Sequence, residues 1–416
     1  MANYRKLCFG RETGPLLFAI NFGRLASGLV PFGLIAFYAS INEYMFAGVA
    51  TSVLMAVGAL SAPYKGRIVA RYSPRSTVVP LSIASCTFTA LGVVTSFIGG
   101  SFVVALTFMI TGTLLSPPTP ALMRSIWTRI ALDQDTNRAL HALDSTTEEL
   151  IFAVTPLVTA AFWATIGPFW AIPLGLVCGL LANIIIIVFA GRPTSLTYDL
   201  ICKPTVETDD GRPRAIHRSA ISAYFSAGSL GLLGPVFGLG VSMGGLSILL
   251  PKWAEVHVGA SSVSGVLLSI VSLSGFFAGL LVGKISVRSM SPKSQYRVAA
   301  LLVAAGTIQF WLADSLQVAV VAAVLLGVGM TSIFISSFVL VGELYPDDEH
   351  IEMNAAVGSA FDLGSGAAGL GAGALVTAIS VGGAMAYLCP AVIALSLTSF
   401  LIGKRSKQSA RDMERT

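Results

Sequence analysis

FAGVATSVLMAVGALSAPYKGRIVAR, residues 46–71, laid without gaps over VSGVLLSIVSLSGFFAGLLVGKISVR, residues 263–288, superposes Gly48 on Gly265, Ser52 on Ser269, Gly58 on Gly275 and Gly66 on Gly283. Each stretch is an apolar run carrying small residues, followed by a basic turn. The two continue alike, as GRIVARYSPRS from Gly66 and GKISVRSMSPKS from Gly283, with one extra residue in the second. Glycine on glycine through helix, turn and basic loop is not what chance supplies. The chain therefore reads as an internal duplication of its two halves.

Outward from this repeat the same texture covers the whole chain. Of 416 residues, 54% are hydrophobic and only 11% charged, against roughly 25% charged in an average soluble domain. The charges sit in short clusters between apolar runs of about 20 residues, each long enough to cross the roughly 30 Å hydrocarbon core at 1.5 Å per residue. Reading runs between polar breaks predicts helices near 14–40, 44–63, 76–98, 101–125, 141–166 and 168–190, then near 220–250, 259–283, 296–312, 316–342, 353–379 and 383–403. The fold class is thus an all-α membrane protein of about twelve transmembrane helices in two pseudosymmetric six-helix bundles. The first run, from Gly14 to Ser40, is too long for a signal-peptide core and has no small-residue cleavage site after it, so it reads as a retained helix.

Lysine and arginine fall on alternate loops, which orients the chain because cytoplasmic loops keep the positive charge. Clusters at Arg5–Arg11, Lys65–Arg75, Arg129–Arg138, Arg192–Arg218, Lys284–Arg297 and Lys404–Arg415 lie on one side, while Lys252 is the sole basic residue on the other. Both termini are expected in the cytoplasm. Residues 1–190 form the first bundle, 191–218 a polar cytoplasmic linker read as a solvated tether, and 219–416 the second bundle with a short basic tail. The net charge of +5 is explained by this topology, and no basic stripe or zinc-finger spacing indicates nucleic acid. The five cysteines form no CxxC pair and no framework, so no metal site or disulfide scaffold is expected.

At the repeated loops the sequence resembles the major facilitator superfamily, whose signature between helices two and three runs roughly G-x-x-x-D-R-x-G-R-R. Gly66, Arg71 and Arg75 match it, with Ala70 in place of the aspartate and Ser73 in place of the glycine; in the second copy Gly283, Arg288 and Lys293 match and Val287 replaces the acid. The resemblance assigns Gly66, Arg71, Arg75, Gly283 and Arg288 to a cytoplasmic gate loop. RLASGLVP from Arg24, PPTPALMRSIW from Pro117, EELIFAVTP from Glu148 and VGELYP from Val341 are similar to an actinobacterial exporter branch. This resemblance implies a monomeric secondary active transporter in a bacterial cytoplasmic membrane, moving a small organic solute by alternating access, with proton-coupled export as the leading version. Uptake by proton symport or uniport is the alternative within transport; a non-transporting receptor or sensor lies outside it.

Charge inside a bilayer is costly, about 2.5–3.5 kcal/mol per residue on insertion scales, and by default marks function. Arg24 lies about ten residues, roughly 15 Å, into the first helix, on a small and polar face with Asn21, Ser27, Gly28 and Pro31. Glu148 and Glu149 lie on the fifth helix and Asp362 on the eleventh, and a shift of 213 residues places Glu149-Leu150 on Asp362-Leu363. Arg24, Asn21, Glu148, Glu149 and Asp362 are the candidates for substrate and proton binding, with Arg124 as a charge partner for Glu148. A fixed ion pair between the first and fifth helices fits the same residues. Ser116-Pro117-Pro118-Thr119-Pro120 should interrupt the fourth helix and leave carbonyls open to a ligand or water. No histidine falls near a helix midpoint, so proton coupling would use carboxylates. No GxxxxGK[ST] or HExxH is present, so neither a nucleotide-driven pump nor zinc-dependent hydrolysis is indicated, and no cofactor is expected.

Overall fold

Where the bilayer offers the backbone no partner, an apolar run can satisfy its amides only as a helix. The computed structural model of the chain is helical where the pattern asks for it. It describes residues 10, 13–130, 134–193, 198–202, 227–284, 290–345 and 350–402, and within the helices certain side chains, including those at 66, 71, 124, 148, 149 and 283, lie outside the description.

The first half runs α1 (Thr13–Ser40), α2 (Tyr44–Tyr72), α3 (Pro74–Phe97), α4 (Phe102–Leu115), α5 (Thr119–Ile130), α6 (Gln134–Thr165) and α7 (Ala171–Ala190), with a short α8 (Tyr198–Cys202). The second half runs α9 (Ala227–Val258), α10 (Val263–Lys284), α11 (Pro292–Trp311), α12 (Leu316–Leu344), α13 (His350–Ala378) and α14 (Val381–Leu397). Among the described residues, six helices are long and apolar enough to cross a membrane, and four shorter apolar segments lie at Tyr44–Gly58, Phe102–Leu115, Leu150–Thr165 and Val263–Gly279. Leu60, Ile98 and Val103 leave 74%, 73% and 71% of their surface exposed, which suits lipid and not water.

Several predicted boundaries shift: α6 begins at Gln134 and not near 141, α9 ends at Val258 and not near 250, and α2 moves furthest. Helix α2 does not stop near residue 63 but continues to Tyr72 and passes to α3 through Ser73 alone. Nothing between Lys65 and Tyr72 breaks a helix strongly, whereas Pro74 excludes its predecessor from helical geometry. Ser73 takes the left-handed φ of 73°, at the position where the family signature carries glycine, the residue that adopts it without strain. The fourth predicted helix is divided into α4 and α5, as its prolines require.

The chain divides into two units, Met1–Asp210 and Gly211–Thr416. In the first, α1 packs on α7, α6 and α2, while α3 packs on α4 and α7. In the second, α9 packs on α14, α13 and α10, while α11 packs on α12 and α14. This is the same order of partners, and the glycines that permit it correspond. Gly58 meets Thr113 across α2 and α4, and Gly275 meets Thr331 across α10 and α12. A methyl at Gly112 would lie 2.9 Å from the Thr89 nitrogen and 3.0 Å from the Ser85 carbonyl; one at Gly329 would lie 2.9 Å from the Val303 nitrogen and 3.1 Å from the Ala299 carbonyl. Gly112 and Gly329 occupy the same place in this pattern of contacts, so the repeat extends into the fourth helix of each unit.

The segment read as a solvated tether begins with structure. In α8, Ile201 is fully buried and joins Leu16, Leu17, Val78, Trp127, Ile186 and Ala190 in one apolar cluster. The Cys202 thiol lies 3.9 Å from the Gly191 carbonyl. A run as short as Leu200-Ile201-Cys202 in a polar stretch was too weak a signal to separate a docked turn from a tether.

Candidate functional site

Arg24 is buried in α1, with 7% of its surface exposed. Its guanidinium donates to the Asn21 side-chain oxygen at 3.5 Å, and the Asn21 amide in turn donates to the Leu17 carbonyl at 2.8 Å. An i, i+3 pair on one face thus sets the orientation of the arginine. Around it α1 is held close to its neighbours by small residues. A methyl at Gly23 would lie 3.0 Å from the Ala182 methyl on α7, and one at Gly28 would lie 2.6 Å from Thr155 Cβ on α6. Of the small face seen in the sequence, Arg24 and Gly28 are buried, Asn21 and Pro31 are half-buried, and Ser27 is exposed. Glu148 and Glu149 belong to α6, the helix that Gly28 touches; their side chains and that of Arg124 lie outside the described residues.

The break between α4 and α5 is built as the prolines dictate. Pro117, Pro118 and Pro120 remove the N–H groups that would serve the carbonyls of Thr113, Leu114 and Ser116 in a continuous helix. Ser116 is extended at φ −63°, ψ 130°, and the helix restarts at Thr119. Lys65, on α2, donates to the Thr113 carbonyl at 3.1 Å and to the Ser116 hydroxyl at 3.0 Å. The Thr119 hydroxyl donates to the Asn183 side-chain oxygen on α7 at 2.7 Å. The sequence reading had placed Lys65 among loop charges and had not singled out Asn183. Lys65 lies more than two turns before Pro74, the next strong helix breaker, and Asn183 is the lone amide in the apolar run LLANIIIIVFA.

In the second unit Asp362 is partly buried on α13, and among the described residues no donor or cation reaches its carboxylate. Its neighbours fix its place. Phe361 and Ser365 present their backbones to Gly240 and Gly244 of α9, and Gly364 lies against the Phe237 backbone. The Phe361 ring meets Phe334 of α12 edge-on at 5.5 Å. Asp362 is therefore carried on a helix that meets α9 backbone to backbone.

The residues assigned to a gate loop are not all in a loop. Gly66 and Arg71 lie in the last turns of α2, Arg75 in the first turn of α3, and Gly283 in the last turn of α10; Arg288 lies outside the described residues. Arg75 donates to the Cys202 sulfur at 3.5 Å, so the arginine of the signature touches the docked linker turn.

Two units of one helix order, with apolar outer faces and polar side chains held inside their helices, define a multi-pass membrane protein built by duplication. The chain matches the Major Facilitator Superfamily over residues 16–368 and belongs to that family. Solved structures share the fold across nearly the whole chain. A POT family transporter in complex with 5-aminolevulinic acid is 16% identical, with a TM-score of 0.66 and 94% of each chain covered. A bacterial homologue of the iron transporter ferroportin in an inward-facing state is 12% identical, with a TM-score of 0.69, covering 96% of this chain and 99% of that one. The nucleoside transporter NupG is 10% identical, with a TM-score of 0.68, covering 92% and 99%. No curated protein sequence matches the chain.

Proposed function

We propose that this protein is a secondary active transporter that exports a small organic solute in exchange for protons, by alternating access. The observation that carries the reading is a buried arginine, Arg24, oriented by Asn21 on the central helix of a unit that belongs to a transporter family. A guanidinium held in a bilayer is costly. It is retained where it balances a carboxylate or an anionic group of the solute.

In this reading α6 supplies the carboxylate. With α1 and α6 parallel, the Gly28–Thr155 contact sets Arg24 level with Ile151, within about one helical turn of Glu148 and Glu149. Glu149 takes a proton when Arg24 is drawn away and releases it when Arg24 returns, because the cation favours the ionised form. Asp362 is the second candidate, superposed on Glu149 by a shift of 213 residues. Both termini and the linker face the cytoplasm of a bacterial cell membrane, on the evidence of the basic loops. The protein works as a monomer.

Efflux of a fluorescent solute from cells, with and without an uncoupler, tests the direction and the coupling. Uncoupler-sensitive efflux is expected. Accumulation driven by the same gradient would make the protein a symporter, and ligand binding without counterflow in liposomes would make it a receptor.

A further inference from the structure

Proline breaks in a membrane helix persist only where something re-satisfies the freed carbonyls. At the break after α4 the Thr113 carbonyl accepts from the Ser116 N–H at 3.3 Å, and Lys65 adds a charged donor. Its ammonium donates to the Thr113 carbonyl, the one that Pro117 deprives of its amide, and to the Ser116 hydroxyl, which itself donates to Thr113 O at 2.8 Å. The positive charge also sits at the carbonyl end of α4, where the helix dipole favours it. We propose that Lys65 is a positioning residue for the fourth transmembrane helix: it holds the α4 and α5 segments in fixed relation across the break.

The duplication supplies an independent observation. Matching Gly112 to Gly329 places Ile333, Phe334 and Ile335 at the positions of Ser116, Pro117 and Pro118. There α12 runs unbroken from Leu316 to Leu344. Laying Gly66 on Gly283 places Val282 at the position of Lys65. The unit with the broken helix has the lysine, and the unit with the continuous helix has valine. The charge accompanies the break and not the fold. Its bonds join α2 to the break itself, so displacement of α2 is transmitted to the point where the fourth helix is weakest. The Thr119–Asn183 bond ties the far side of the break to α7.

This role matters for function only through the transport reading above, but its test needs no solute. Amide hydrogen exchange is followed by mass spectrometry on the full-length protein in nanodiscs, over peptides spanning Met109–Met123 and, as an internal control, Val328–Phe338 of α12. Lys65→Met is expected to speed exchange at Ser116 and Thr119 by about tenfold or more, since these amides then report local opening. Lys65→Arg, which keeps charge and donors, should restore slow exchange, and the α12 peptide should not change. Pro117→Ala returns an N–H to the Thr113 carbonyl, so in that background Lys65→Met should alter exchange at the break by less than twofold. An equal effect of Lys65→Met with and without Pro117 would overturn the proposal, as would wild-type exchange at the break in Lys65→Met. Should Lys65→Met fail to accumulate, Lys65→Gln carries the same comparison, and failure of both variants to fold even with Pro117→Ala counts against it.

Discussion

Gly244→Ala is expected to destabilise the second unit, because α9 and α13 approach backbone to backbone. A methyl at Gly244 would lie 2.6 Å from both the Cα and the carbonyl carbon of Ser365 and would overlap its carbonyl oxygen. An ordinary contact begins near 3.4 Å, so the helices would have to part by at least about 0.8 Å, and further to clear the oxygen. The obstructing atoms are backbone and cannot swing aside as a side chain could. Overpacking of this kind costs about 1–3 kcal/mol, offset by up to about 1 kcal/mol from the better helix propensity of alanine. Because the clash is with backbone the cost falls in the upper part of that range, and the net loss of about 1–2 kcal/mol corresponds to roughly 2–8 °C in melting temperature for a unit of about 200 residues. Gly371→Ala on α13 is the control, since a methyl there meets nothing within 4 Å. Thermal melting of the purified protein by tryptophan fluorescence should place Gly244→Ala below wild type and Gly371→Ala at or above it. Melting of Gly244→Ala at the wild-type temperature would refute the packing and, with it, the rigid placement of Asp362.

Arg24→Ala should abolish transport while leaving the amount of folded membrane protein near wild type, as measured by uptake and by size-exclusion chromatography of the same preparation; normal transport would remove Arg24 from the mechanism, and loss of folded protein would make it a structural ion pair. A cysteine at Thr205 in a chain otherwise free of cysteine should resist an impermeant thiol reagent added outside intact cells, and labelling there would reverse the orientation. Ser73→Gly should raise stability by about 1 kcal/mol by relieving a left-handed serine, since Ser76 keeps its bonds to the Tyr72 and Ser73 carbonyls; a lower melting temperature would show that the Ser73 hydroxyl outweighs the backbone strain.

Helix positions were legible because the bilayer leaves only one way to satisfy an apolar backbone, and the break in the fourth helix was legible because three prolines remove three named donors. The extent of α2 was not. A run of basic residues reads as loop in a soluble frame, yet Lys65 to Tyr72 contains nothing strong enough to end a helix. Lys65 itself was missed for the same reason, since its partner is a backbone carbonyl and carbonyls have no signature in sequence. Arg24 and Asn21 were found from depth and spacing on one face, and the structure brings them together. The approach of Gly240 and Gly244 to α13 depends on how two helices are rotated, which glycine content alone does not specify.

Proton-coupled transport is tested most directly in proteoliposomes, using a solute first identified by ligand-dependent thermal stabilisation. Uphill movement under an imposed proton gradient and counterflow without one are measured for wild type, Glu149→Gln and Asp362→Asn. Wild type should show both. Neutralising the coupling carboxylate, Glu149 first, should abolish uphill transport and spare counterflow, because exchange needs the conformational step but no net proton movement. Uncoupler-sensitive uphill transport retained by both variants would contradict the account.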